Sequence, residues 1–445
     1  MALSRSVVIT SCLFGSLSSS LIGVKAQAQP AAQTVSNAAT EFMQLYDSGQ
    51  YRAALKPGAL AISQDPSNHA MRLKLANALA WTGRYEAALE QYEKLQSGEL
   101  DSSAKVGIAN ILRWRGAPQV ALPILQDLVK REASNKDAQE SLRQTQREIL
   151  PMATVKLGWS NDSNGLTRKE LSVSQRYWQS ESFLGRPVRW DVGAVLGRDT
   201  RPAQIGATSI DHRELQLSFA APAMGTGNRA VQQWGFNAGT RFELSLQNDL
   251  KSRIFGRAHL DLLGDAVSFR VGHVNWGRQV FNQSALAAGL TANQVGASGS
   301  IDTSWLLAKA RLDYYATSDG NRVIDGDLTM NPTWQPLPWG VQWYKVYAFR
   351  DAARPDSRYW SPRNYLTSSY GLKRSWYGEN SEFTAAAAKS FGLTRDAANG
   401  YNLSGSGKYW ISKETALGLD FFAIDAPQVG AYRYRYLGLT VNQLW

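Results

Sequence analysis

Cysteine is almost missing from this sequence: 445 residues contain one, Cys12. That excludes a disulfide framework and a thiolate metal site. Histidine is scarce too. His69, His212, His259 and His273 are all there are, and no pair has metal-ligand spacing. No stretch beyond the amino-terminal segment approaches twenty uninterrupted apolar residues, so no helical membrane span is expected. The net charge of +11 is spread along the chain without a dense basic run, which argues against nucleic acid as a partner. Tryptophan is sparse at the front and frequent behind. Of 15 residues, only Trp81 and Trp114 precede residue 150.

Residues 1–28 read as a secretory signal peptide. Arg5 precedes a short apolar run through Val7, Ile9, Leu13, Phe14, Leu21 and Val24, and Ala26-Gln27-Ala28 supplies the small residues of a cleavage site. Cleavage after Ala28 removes Cys12 and leaves a cysteine-free chain. Residues 29–35 then form a linker.

Residues 36–150 repeat. Gly49, Gly83 and Gly116 are spaced by 34 and 33, and Ala54, Ala88 and Ala121 follow in the same register. Trp81 and Trp114 match as well. Glycine suits a left-handed turn between two helices, and alanine lets the second helix approach the first. A period near 34 with this pattern resembles the tetratricopeptide repeat. Residues 136–149 read as its capping helix. Such arrays offer a concave face, so a periplasmic scaffold for a protein partner is the expectation.

After Pro151 the apolar period changes to two. Val155, Leu157 and Trp159 oppose Thr154, Lys156 and Gly158. Leu306, Ala308, Ala310 and Leu312 oppose Lys309, Arg311 and Asp313. Trp234, Phe236 and Ala238 alternate likewise, as do Leu437, Leu439, Val441 and the terminal Trp445. Tight links at 377–380 and 412–414 alternate with longer polar ones at 351–362, 392–400 and 425–431. A transmembrane barrel has this alternation and this loop asymmetry. The chain is therefore expected to be an α+β multidomain protein: a short tetratricopeptide α-solenoid, then a transmembrane antiparallel β-barrel of about 16 strands over residues 151–445. The barrel is expected to close between the segments 152–160 and 431–445, with no helical pattern after residue 152. An even strand count puts both ends on the periplasmic side. Trp445 resembles the closing aromatic by which the outer-membrane assembly machinery recognises barrels.

The charged faces cannot meet lipid, because Lys or Arg at mid-membrane costs about 2–4 kcal/mol in a barrel. Pore-lining candidates are thus Lys156, Arg241, Glu243, Arg257, His259, Asp261, Arg270, Lys309, Arg311, Asp313 and Asp420, with Tyr432, Tyr434 and Tyr436 as aromatic candidates. Ser268, His259 and Asp261 invite comparison with a hydrolytic triad. No nucleophile motif accompanies them, and a charged ladder facing a watery interior accounts for them better. No catalytic residue, metal or cofactor is expected.

The whole layout is similar to the outer-membrane exporters of bacterial exopolysaccharides, of the cellulose and poly-N-acetylglucosamine secretion type. Tyr359-Trp360-Ser361-Pro362-Arg363-Asn364-Tyr365 resembles a loop-to-strand signature of the cellulose exporters, and Ser160-Asn161-Asp162-Ser163-Asn164-Gly165 resembles the opening of such barrels. The resemblance implies export of a polysaccharide through the outer membrane, lipid around the barrel, and a periplasmic protein on the repeats. Those exporters carry more repeats than the three here. The alternative is a non-transporting barrel, a receptor of the phage-adsorption type or an assembly anchor. Segments from neighbouring strands filling the interior would favour it.

Overall fold

The computed structural model describes residues 31–445 apart from 97, 164, 184–185, 202–208, 222–238, 250, 263–266, 281, 304–305, 333–336, 338–339, 379, 398 and 427–431. The signal segment 1–28 and the strand expected at 234–238 lie outside the described residues.

Seven helices come first: α1 Ala31–Asp47, α2 Tyr51–Gln64, α3 His69–Trp81, α4 Tyr85–Glu93, α5 Asp101–Trp114, α6 Pro118–Arg131 and α7 Lys136–Ile149. Three antiparallel pairs turn at Gly49, Gly83 and Gly116, whose φ values are 74°, 83° and 78°. The hydrogen bonds explain why glycine stands there. Gln50, Arg84 and Ala117 each donate a backbone N–H to a carbonyl five residues back, on Leu45, Leu79 and Leu112. That six-residue closure needs a left-handed residue at its centre, where a Cβ is strained. Ala54, Ala88 and Ala121 are fully buried between helices. Tyr92 lies against Gly107, where no side chain would fit, and its hydroxyl donates to Asn77 Oδ1 at 2.6 Å. Burial pushes the Tyr92 hydroxyl pKa up.

Sixteen strands follow. The first eight are β1 Met152–Asp162, β2 Thr167–Phe183, β3 Arg186–Thr200, β4 Ser209–Ala221, β5 Gly239–Asn248, β6 Ser252–Leu262, β7 Val267–Asn275 and β8 Thr291–Asp302. The others are β9 Leu306–Thr317, β10 Arg322–Pro332, β11 Gln342–Ala352, β12 Tyr365–Tyr377, β13 Ser381–Gly392, β14 Gly400–Trp410, β15 Thr415–Ala426 and β16 Tyr432–Leu444. Each pairs antiparallel with its chain neighbours, and β1 pairs with β16 from Met152↔Leu444 to Asp162↔Tyr434. The sheet is a closed barrel without an edge.

The register keeps like with like. Leu157 stands between Leu439 and Leu171, while Lys156 stands between Thr440 and Ser172. The outward face is apolar and exposed, as at Leu157, Leu215, Ile254, Val295 and Leu439. Both ends of the barrel chain meet at one rim, where Trp445 N–H donates to Pro151 O at 3.2 Å. The helical domain touches this near rim. Trp178 Nε1 donates to Glu148 O at 2.9 Å, and the Arg147 guanidinium lies 4.8 Å from the centre of the Trp410 ring.

One expectation fails. Two short helices, α8 Trp276–Gln279 and α9 Gln283–Ala287, stand in the link between the paired strands β7 and β8. Each is about one turn long, too short to show a 3.6-residue apolar period.

The repeats and the barrel draw on separate cores, which predicts independent folding. Ala88→Arg places a charge in a fully closed helix crossing, where overpacking alone costs about 1–3 kcal/mol. Helical circular dichroism should fall, while the barrel keeps its faster gel migration before boiling. Loss of that migration shift along with the helices would show one cooperative unit.

Candidate functional site

The barrel interior gathers the charged residues. Successive cross-strand partners place Lys156, Arg241, Glu243, Arg257, His259, Asp261, Arg270, Lys309, Arg311, Asp313, Asp420, Tyr434 and Tyr436 on the face opposite the apolar one. Tyr432 begins β16 opposite Ala426, and its side chain lies outside the described residues.

These residues form clusters rather than a uniform ladder. Asp313 on β9 is 2% exposed. Arg270 Nε and Arg311 Nη1 each donate to it at 2.6 Å, and Gln294 Nε2 donates at 3.0 Å. Arg311 also reaches Asp327 at 2.6 Å and Asp325 at 3.7 Å. A buried carboxylate is tolerable only with such a set of donors. Elsewhere Arg168 holds Asp199 through two bonds, at 2.7 and 2.8 Å, and Lys156 meets Asp420 at 2.8 Å. The Tyr436 ring lies over Gly438, where a Cβ would meet the Tyr436 hydroxyl at 2.5 Å, and beside Gly158. Lys156 Nζ lies 5.5 Å from the centre of that ring.

The insertion between β7 and β8 folds into the far mouth, opposite the helical domain. Asn275 caps α8 by accepting from Arg278 N–H, and Asn282 caps α9 by accepting from Ser284 and Ala285 N–H. Gly277 packs against the Leu286 backbone, and Gly289, at φ 61°, returns the chain to β8. Trp276 is fully buried among interior positions, 5.0 Å from Tyr315 and 5.6 Å from Tyr359 between ring centres. Arg278 donates to Glu214 at 2.8 Å and to Asp249 at 3.2 Å. Arg257 donates to Gln279 at 2.6 Å. These contacts bind the insertion to the half of the wall running from β4 to β11. Beneath it, Glu214, Gln216, Ser218, Glu243 and Arg257 line a recess of about 460 Å³.

The loop between β11 and β12 completes the cluster. Asn321 donates to Tyr359 Oη at 2.9 Å and to Arg354 O at 2.8 Å. Arg358 bridges Asp319 and Asp356, at 2.7 Å each. Tyr359 thus packs into the far-mouth cluster, and Trp360 stands edge-on to Tyr365 at 4.8 Å.

The triad geometry is absent among these residues. Ser268 donates to Asp261, whereas His259 sits 3.9 Å from Glu243 and has no hydrogen-bond partner on Nε2. Among the described residues no group of acidic, histidine or cysteine side chains is placed to hold a metal.

Solved structures share parts of this architecture. A bacterial polysaccharide outer membrane secretin aligns with a TM-score of 0.52 at 11% identity, covering 67% of this chain and 99% of that one. OccAB3 of Acinetobacter baumannii aligns at TM-score 0.36 and 8% identity, over 66% and 99% of the two chains. The second tetratricopeptide domain of human RPAP3 aligns at TM-score 0.24 and 17% identity, over 26% and 97%. No family model and no curated protein matches the chain. The secretin shares the fold of the closed antiparallel β-barrel.

Two outcomes follow from this geometry. Arg278→Ala strands two buried carboxylates, Glu214 and Asp249, and breaking such a pair costs about 3–5 kcal/mol. The insertion should leave the mouth, so single-channel conductance in planar bilayers should rise while the barrel stays folded. Unchanged conductance would mean that the insertion does not set the opening. The far-mouth loop should respond to acid. Hydrogen bonding from Arg358 holds the Asp356 carboxyl down at about 2. That lies below the ~3.9 of a free aspartate, so its stabilisation is complete above about pH 4 and is lost as pH falls towards 2. Hydrogen exchange at residues 353–364, corrected for intrinsic rate, should stay flat from pH 7 to 4 and rise below. A rise already near pH 6 would contradict this assignment.

Proposed function

We propose that this chain passes a polysaccharide through the outer membrane, with the interior of β12–β16 and β1 as the path. One observation carries the reading: the Tyr436 ring stands on a wall where small polar side chains alternate with the charged Lys156, Lys408 and Asp420. Ser404, Ser406, Thr440, Asn442 and Thr154 share its face. Ser406, Lys408, Asp420, Thr440 and Asn442 line a polar recess of about 400 Å³ nearer the helical domain. Phe422 stands directly across from Tyr436 and Tyr434 lies one step beyond, with the Phe422 and Tyr434 ring centres 6.2 Å apart. A sliding glycan needs hydroxyls and amides to replace water and ring faces to stack on, and needs no bond to be made or broken. The secretin that shares the fold is a polysaccharide secretin by its name, which supports the same reading.

In this reading the helical repeats lie in the periplasm and hold a protein partner. Their concave side offers Asn77, Asn110, Arg113 and Trp114 around a groove of about 450 Å³. The glycan is of the cellulose or poly-N-acetylglucosamine class, as the sequence resemblance implies. The insertion favours a second reading, a receptor or assembly anchor, because it fills part of the far mouth. It leaves the Tyr436 side of the wall out of the contacts described above, so export is the stronger reading.

Two measurements test the proposal. Tyr434→Ala with Tyr436→Ala should lower polysaccharide release severalfold at normal outer-membrane protein level. Normal release would transfer the weight to the receptor reading. Lys309 is exposed on the interior face, free of the acidic cluster that holds Arg311. Lys309→Glu should therefore shift bilayer selectivity towards cations without unfolding the barrel. A channel with unaltered selectivity would place Lys309 away from the conducting path.

A further inference from the structure

The outward face of β12–β16 carries a feature that the export reading does not use. Most of that face is apolar, yet Lys389, Arg433 and Arg435 stand on it towards the far rim. The arrangement forms two cross-strand rows. In the row nearer the far rim, Arg433 pairs with Asp425, Asp425 with Tyr401, Tyr401 with Lys389, and Lys389 with Tyr370. In the next row, Arg435 pairs with Ala423, and the row continues through Leu403, Ala387 and Leu372. The two alanines leave a hollow between leucines, and the whole encloses a recess of about 510 Å³ open to the outside.

Charge and shape point to one kind of occupant. Three cations face a single carboxylate, Asp425, which Arg433 approaches at 3.6 Å. Among the described residues Arg435 makes no ion pair. Lys389 rests near the Tyr401 ring, at 5.5 Å, rather than on an acid. Cations on a lipid-facing wall are costly unless they sit at headgroup level beside an anion. Two arginines two residues apart on one face suit phosphate oxygens, which guanidinium binds in a planar fork. Tyrosine is favoured at that same level. The apolar row below continues into the hydrocarbon zone, where an acyl chain fits the hollow and a soluble partner does not reach.

We propose that this recess binds a phosphorylated, acylated glycolipid of the outer leaflet, with Lys389, Arg433 and Arg435 on its phosphates and its acyl chain over Ala387 and Ala423. The placement rests on the reading that the helical domain lies on the periplasmic side. The binding itself does not depend on glycan export, so either can fail alone.

The test uses the purified full-length protein in detergent. It is titrated with a bis-phosphorylated, multiply acylated glucosamine-disaccharide lipid, with the same lipid after phosphate removal, and with inorganic phosphate. The phosphorylated lipid should bind at least tenfold more tightly than its dephosphorylated form. The triple variant Lys389→Gln, Arg433→Gln, Arg435→Gln should abolish that difference. Arg374→Gln, also outward on β12, should preserve it. Each variant is checked for the gel-migration shift of a folded barrel, and Arg435→Gln alone serves if the triple variant does not fold. Equal affinity for both lipids, or a preference that survives the triple variant, would overturn the proposal. Competition by inorganic phosphate at the lipid's own concentration would overturn it as well, since the acyl chain would then contribute nothing.

Discussion

Everything in the barrel depends on the pairing of β1 with β16. A strand in hydrocarbon cannot leave its N–H and C=O groups unbonded, so an open sheet edge is excluded there. The pairing from Met152↔Leu444 to Asp162↔Tyr434 removes both edges at once. It also fixes parity around the ring. A slip of one residue would turn Lys156, Asp420 and Thr440 to lipid and Leu157, Leu439 and Val441 inward. Closure and sidedness are therefore one constraint.

Inside, the constraint reverses. Charges that cannot face lipid must be satisfied by one another or by water. Around Asp313 they satisfy one another, and the wall from β7 to β10 becomes a bonded lattice. Glu214 and Asp249 instead find their cation on Arg278, which belongs to the insertion. The interior is thereby divided. One half holds the insertion, the Trp276 cluster and the Tyr359 loop. The other half presents hydroxyls, amides and the Tyr436 ring laid over glycine.

How much of this the sequence makes legible follows from what each element needs. Period two over nine to thirteen residues is a local signal, so most strands and both faces can be read without knowing their partners. The turn glycines at 49, 83 and 116 are equally local, because a positive φ has few other solutions. The insertion was illegible for the opposite reason. Its helices span four and five residues, and its core comes from β9, β10, β11 and a distant loop. The caps Asn275 and Asn282, followed by Gly289, are the available signal, but without an apolar stripe they do not mark helices. Partner choice was hidden too. That Asp199 belongs to Arg168 and Asp313 to Arg270 is a matter of register, which alternation alone does not fix.

In the proposed function a sugar chain moves along the Tyr436 side of this interior. Ion current through the reconstituted protein in a planar bilayer measures that directly when linear β-linked oligosaccharides of increasing length are added to one side. A glycan path predicts transient current blocks whose duration grows with the number of sugar units, while a dextran of equal mass but branched shape gives brief ones. Blocks that do not depend on chain length, or no blocks at all through an open channel, would contradict it.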